Sequence, residues 1–229
     1  MARRGRANPL ALAVLTLVYE RPMHPYEMSG TLRERHKEDS IKLNYGSLYS
    51  VVESLRKRGL VEAQETVREG KRPERTIYRI TDAGATEMTD WLSDLMAHPA
   101  KEFTQFEAAL SLMPILPPDE VIRLLEIRLR TQVLNKKKHD GLLAQAPGRF
   151  PRLFLIETEF QQALLGAEIE FIRGLLEELR SGEFPGLRAW QRQHDLRASG
   201  ASPEEVVAVL TEEFKEEMSW LDQLDSEHP

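Results

Sequence analysis

The chain has 229 residues and a net charge of −6, with 41% hydrophobic and 30% charged residues, the balance of a globular protein with one or two cores and not of a disordered chain. It has no cysteine, which removes disulfide scaffolds, Cys-ligated zinc, iron–sulfur clusters and thiol catalysis. No run approaches the ~18 apolar residues of a membrane helix; the apolar stretch 10–19, behind Arg3, Arg4 and Arg6, runs straight into Glu20-Arg21-Pro22 with no small-residue cleavage site, and reads as the buried first helix of a cytoplasmic protein.

Asn8-Pro9 is a cap followed by a first-turn proline, and Leu10, Ala13, Val14, Leu17 and Val18 recur behind it at helical spacing. Two prolines break the pattern over 21–25. A second helix is expected over 26–36 and a third over 45–58, the latter burying Leu48, Val51, Val52 and Leu55 and stopping at Lys57-Arg58-Gly59. The period then shortens. Residues 60–67 and 75–80 read as two strands around the turn Arg68-Glu69-Gly70-Lys71-Arg72-Pro73, and Thr81 caps a fourth helix that ends near His98-Pro99. Helix, helix, helix, hairpin, helix is the order of a winged helix-turn-helix.

The remainder reads as helical throughout. Phe103, Phe106, Leu110 and Met113 line one helix, Pro117-Pro118-Asp119 opens the next, and Ala146-Pro147-Gly148 breaks it. A long helix over 151–180 carries two apolar stripes. Phe160, Leu164, Ala167, Phe171 and Leu175 form one; Leu165, Ile169, Ile172, Leu176 and Leu179 form the other. One stripe packs a helix onto its own domain, so two suggest a second surface, most simply a second copy of the chain; the alternative is a helix buried on both sides within a monomer, which residues 100–183 are too few to surround. The dimerisation residues expected from this are Phe160, Leu164, Leu165, Ile169, Phe171, Ile172, Leu176 and Leu179. Ser202-Pro203-Glu204-Glu205 starts a last helix over 203–224, with Val206, Leu210, Phe214, Met218 and Leu221 on one face.

Nothing in the chain argues for an enzyme. The six histidines show no metal-protease spacing, and no glycine-rich phosphate loop or nucleophile elbow is present. The pairs Glu177-Glu178, Glu212-Glu213 and Glu216-Glu217 lie opposite apolar stripes, as solvated faces do. No metal or other cofactor is called for.

The third helix has the chemistry of a major-groove reader. Asn44 caps it, Ser47 and Ser50 donate or accept hydrogen bonds, Tyr45 and Tyr49 carry hydroxyls on rigid rings, and Gly46 permits close backbone approach. Over residues 68–79, Arg68, Lys71, Arg72, Arg75 and Arg79 face only Glu69 and Glu74, the charge that a wing needs to hold phosphates. Charge is distributed accordingly: residues 1–90 carry 16 basic and 13 acidic side chains, residues 184–229 carry 4 and 10. The acidity belongs to the rear of the chain.

On Pro22-Met23-His24-Pro25-Tyr26-Glu27-Met28, Tyr45-Gly46-Ser47-Leu48-Tyr49, Leu55 with Gly59-Leu60, the basic wing and Tyr78-x-x-Thr81-x-x-Gly84, the chain resembles the PadR family of bacterial transcriptional regulators over residues 9–90. Pro25 stands where many members have Gly, and the segment after 184 departs from the family pattern. The resemblance implies a homodimer that binds a palindromic operator, usually as a repressor released by a small molecule.

These readings give a mainly α chain: an N-terminal winged helix-turn-helix with a two-stranded wing over 1–98, an all-helical dimerisation domain over 99–183, and an acidic helical extension over 184–229. The expected partners are double-stranded DNA, a second copy of the chain and an unidentified small-molecule effector, with no membrane. The expected DNA contacts are Asn44, Tyr45, Ser47, Tyr49 and Ser50 in the groove and Lys71, Arg72 and Arg75 on the backbone. Trp91 is a candidate lining residue of an effector pocket, set against a simpler role as a core tryptophan. The alternative function is a winged-helix protein–protein adaptor without an operator.

Overall fold

Asn8 opens the first helix as its side chain predicts, accepting the Leu10 N–H at 3.1 Å with Pro9 in the first helical position. The structure is a computed structural model that describes residues 8–42, 44–67, 75–145 and 151–215. Its contacts divide the chain into two units, Met1–Glu102 and Phe103–Pro229.

The first unit is built around α1 (Pro9–Glu20), which buries Leu10, Ala11, Val14, Leu15, Leu17 and Val18. Apolar residues on nearly every side make it a central helix, and α3, α4 and β2 pack around it. The second helix, α2, spans Pro25–Glu34. Pro25 occupies its first turn, where a missing N–H costs nothing, and His24 caps it: Nδ1 accepts the Tyr26 N–H at 3.1 Å. The helix ends two residues short of the expected 36 because His36 turns left-handed, at φ 54°. Arg35, its last cap, reaches back to α1 and grips Glu20 with two hydrogen bonds of 2.7 Å.

The third helix, α3 (Tyr45–Lys57), closes in a Schellman motif: Leu60 N–H donates to Leu55 at 3.0 Å, Gly59 N–H to Arg56 at 2.9 Å, and Gly59 takes φ 71°. Strands β1 (Val61–Val67) and β2 (Arg75–Ile80) pair antiparallel, Val61 opposite Ile80, with a register irregularity between Ala63 and Glu65. Met23 and Tyr78 exchange two backbone hydrogen bonds of 3.0 Å, so the segment leading into α2 is laced to the wing strand. Thr81 then caps α4 (Asp82–Ala97). Its hydroxyl donates to the Gly59 carbonyl at 2.7 Å and accepts the Gly84 N–H at 3.0 Å. Trp91, on α4, is 1% exposed and belongs to the core with Met28, Leu48, Leu55 and Val61.

The second unit is helical: α5 (Gln105–Leu112), α6 (Pro118–Gln145), α7 (Ile156–Ser181), α8 (Leu187–Ala198) and α9 (Pro203–Glu213). Two expectations shift here. Thr104 caps α5 by accepting the Glu107 N–H, so Phe103 lies ahead of the helix and is exposed. The long helix starts at Ile156 and not at 151, because Pro151 is extended and a 3-10 turn, Arg152–Phe154, comes first. The core joins Val121 and Leu125 of α6, Ile172, Leu176 and Leu179 of α7, and Leu187 and Trp190 of α8. Helix α8 is fastened to the α5–α6 connection by two hydrogen bonds: Trp190 Nε1–H donates to Leu116 at 2.9 Å and His194 Nε2 to Pro114 at 3.0 Å. Ser202 and Glu205 form the expected capping box at the start of α9. Helix α9 ends at Glu213 with Phe214 as its C-cap, and the rest of the span expected to be helical, with Met218 and Leu221, lies outside the described residues.

Candidate nucleic-acid interface

Helix α3 divides cleanly into two faces. Leu48, Val51, Val52 and Leu55 point into the core. At 100° per residue the opposite direction falls on Gly46, Ser50, Glu53 and Lys57. Asn44 holds the N-terminus, its Oδ1 accepting the Gly46 N–H at 2.9 Å. Ser47 and Ser50 are exposed, and the Ser50 hydroxyl donates to the Gly46 carbonyl at 3.0 Å. Tyr49 is 48% exposed, and its ring meets the His24 imidazole edge-on with centroids 6.4 Å apart. The α2 cap and the exposed tyrosine of α3 are therefore neighbours. A Cβ on Gly46 would touch only Asn44 Oδ1, at an ordinary 3.6 Å; packing within the chain does not require a glycine there.

Tyr45 and Arg75 are placed by their backbones alone, as the first residues of α3 and β2. Lys71, Arg72 and Arg68 lie outside the described residues, as do Arg3, Arg4 and Arg6. Of the described wing cations, Arg79 is paired with Glu62 at 2.5 Å.

Sequence reasoning missed Glu53. Arg56 Nε and Nη2 each donate to one of its oxygens at 2.8 Å, and Lys57 Nζ stands 3.9 Å away. Those hydrogen bonds hold the Glu53 carboxyl below its ordinary range and raise Arg56, so the pair is fully ionised at neutral pH. The i, i+3 and i, i+4 spacings to Arg56 and Lys57, in phase with Ser50, were the available signal. Ser50, Glu53, Ser54, Lys57 and Arg58 line a shallow polar depression of about 450 Å³ on this face. Arg58 is itself paired with Glu87 of α4 at 3.1 Å.

A capped helix with a hydroxyl-rich outer face, an apolar inner face and a two-stranded wing behind it is the geometry of a groove-reading winged helix. Residues 14–90 match the Transcriptional regulator PadR-like family. The chain carries a PadR-like domain. That family is one of transcriptional regulators and not of enzymes. No curated protein matches the chain. Among solved structures, the chain is similar to Bacillus subtilis PadR in complex with operator DNA, at 18% identity and TM-score 0.56, covering 75% of this chain and 99% of that one. It is similar to the same protein in complex with p-coumaric acid, at 16% identity and TM-score 0.59, covering 75% and 98%. A PadR-like transcriptional regulator from Bacillus cereus matches at 16% identity and TM-score 0.52, covering 76% and 99%. At these identities the likeness is one of fold: a PadR winged helix followed by helices, with further helices in this chain.

Outside the PadR-like domain, α7 shows its two stripes separately. Ile169, Ile172, Leu176 and Leu179, expected at a dimer interface, are instead buried within the second unit, the last three in its core with residues of α6 and α8, and Leu165 is half-buried. Phe160, Leu164 and Phe171 are 63%, 57% and 53% exposed. The same unit has an apolar cavity of about 530 Å³ among Phe106, Leu110, Met113, Leu116, Leu124 and Arg128. The Arg128 guanidinium lies 3.8 Å over the Phe106 ring and is held by Glu168 at 2.5 Å. Trp91 belongs to the core of the first unit and not to this cavity. Among the described residues no cluster of side chains is suited to a metal ion, and no helix is long and apolar enough to cross a membrane.

Proposed function

We propose that this chain is a sequence-specific, DNA-binding transcriptional regulator that acts as a homodimer on a palindromic operator. The observation that carries the reading is α3: its cap, core face and polar outer stripe are those of a helix built to enter a major groove. Asn44, Tyr45, Ser47, Tyr49 and Ser50 approach the groove, and Lys71, Arg72 and Arg75 of the wing hold the flanking backbone. The similarity to a PadR bound to operator DNA supports the pose. Dimerisation uses the exposed stripe of α7, since Phe160, Leu164 and Phe171 leave apolar surface in water that a second copy would cover. A dimer reads two half-sites at fixed separation, which is why the operator is palindromic.

The regulator is ligand-responsive in this reading. A small, mostly apolar effector suits the cavity of the second unit, whose size is that of small-molecule sites. The similar PadR in complex with p-coumaric acid supports this class. Repression is supported by the family resemblance alone.

The test is selection of duplexes with a randomised core by the purified chain, followed by titration of the enriched duplex across salt concentrations. Inverted repeats bound by two protomers are expected, with affinity falling steeply as salt rises. Lys71→Ala with Arg72→Ala should weaken binding on every sequence and flatten the salt slope by about two phosphate contacts. Failure to enrich any duplex would favour the adaptor alternative.

A further inference from the structure

A carboxylate on a helix offered to phosphates is repelled unless its charge is compensated nearby. Glu53 is compensated on its own helix. Arg56 donates one hydrogen bond to each carboxylate oxygen at 2.8 Å, and Lys57 adds a second cation at 3.9 Å. Each oxygen has two acceptor positions, so the fork occupies one and leaves one open. One turn earlier on the same stripe, Ser50 gives its proton to the Gly46 carbonyl, and its oxygen is left to accept. Both residues line the shallow depression on the outer face. The stripe therefore presents acceptors at 50 and 53, backed by neutralising cations.

Acceptors read donors. In the major groove the donors are the amino groups of cytosine N4 and adenine N6. Adenine sets the N7 acceptor beside its amino group, which a carboxylate meets with repulsion. Cytosine does not, and a glutamate is the side chain that accepts from N4.

We propose that Glu53 is a specificity-determining residue: its carboxylate accepts from a cytosine amino group at one fixed position in each half-site, and its ion pair keeps Arg56 off the phosphates. This rests on the DNA-binding reading above. It assigns two separate jobs, choosing a base and restraining sequence-independent attraction, and they have separate readouts.

The experiment uses the full chain, Glu53→Ala and Glu53→Gln. Each selects from duplexes with a randomised core; the best wild-type duplex and its single-base-pair variants are then titrated across salt. The wild type is expected to lose about tenfold or more in affinity when the chosen cytosine is replaced. Glu53→Ala should lose that discrimination at this position alone and keep the others. It should also bind unselected duplex more tightly, with a salt slope steeper by about one contact as Arg56 is released. Glu53→Gln should move the preference at the same position toward adenine, whose N6 and N7 a glutamine amide pairs in two-point fashion. Glu53 is half-exposed, and circular dichroism should show both variants folded. The proposal is overturned if Glu53→Ala keeps every wild-type preference, or if it weakens all duplexes equally, since Glu53 would then only brace the helix. If the wild type enriches no duplex, the DNA-binding reading fails first and takes this inference with it.

Discussion

Gly84 and Leu60 approach so closely that a Cβ on Gly84 would stand 2.0 Å from the Leu60 carbonyl oxygen. That carbonyl also accepts the Thr81 N–H at 3.2 Å, so it is held and has nowhere to move. The glycine lets α4 start directly on the link between α3 and β1, and so fixes the wing relative to the candidate reading helix. Gly84→Ala should cost about 2 kcal/mol or more, since the obstacle is backbone. Gly30, in α2, is the control: a Cβ there meets nothing within 4 Å. Gly30→Ala should stabilise by about 0.5–1 kcal/mol. Urea denaturation midpoints, compared at constant slope, measure both.

What was legible in the sequence is what depends on neighbours in the chain. Asn8, Asn44, Thr81 and Ser202 each cap the helix expected of them, because a cap is decided within three residues. Gly59 ends α3 for the same reason. The stripes of α7 were legible as a pair, but which one is buried was not, since α6 and α8 decide that from far along the chain. The Met23–Tyr78 bridge and the Trp190–Leu116 hydrogen bond join residues 55 and 74 positions apart, and no local pattern announces them. His24 as a cap was missed because histidine is an uncommon choice there. Glu53 was missed for another reason: attention to groups that attract phosphate passes over a carboxylate whose charge its own neighbours cancel.

Trp190 fastens α8 to the α5–α6 connection in two ways, by burial to 7% exposure and by its Nε1 hydrogen bond to Leu116. The two contributions separate by substitution. Trp190→Phe keeps most of the ring and loses the donor, for an expected cost of about 1 kcal/mol. Trp190→Ala also opens a cavity beside Val121, Leu125 and Leu179, for about 3–5 kcal/mol. Amide hydrogen exchange should show faster opening of α8 in both variants, graded in that order. Equal protection in Trp190→Phe and the wild type would mean that water replaces the lost donor without cost.

The Glu20–Arg35 fork makes a small acid-sensitive contribution. Two hydrogen bonds from Arg35 hold the Glu20 carboxyl below its ordinary range, so the folded chain binds that proton less readily than the unfolded chain. The stabilisation is complete above the ordinary carboxylate range and is lost as pH falls through the lowered value. Both side chains are about two-fifths exposed or more, which keeps the contribution below about 1 kcal/mol. Melting temperatures of the wild type and Glu20→Gln should differ slightly at neutral pH, converge on acidification, and converge at neutral pH in high salt.

The two faces of α7 predict opposite outcomes for one kind of substitution. Ile172 is 0% exposed and packs among Val121, Leu176 and Trp190. Ile172→Asp buries a carboxylate with no partner, and a loss of more than about 4 kcal/mol should unfold the second unit. Leu164 is 57% exposed on the adjoining stripe, about 80° around the helix from Ile172. Leu164→Asp should leave the helical circular dichroism unchanged, because the new charge stays in water. Under the homodimer proposed above it should nevertheless convert the dimer to monomer in sedimentation and abolish binding to paired half-sites. A folded Leu164→Asp variant that sediments with the wild type would place the interface elsewhere on the chain.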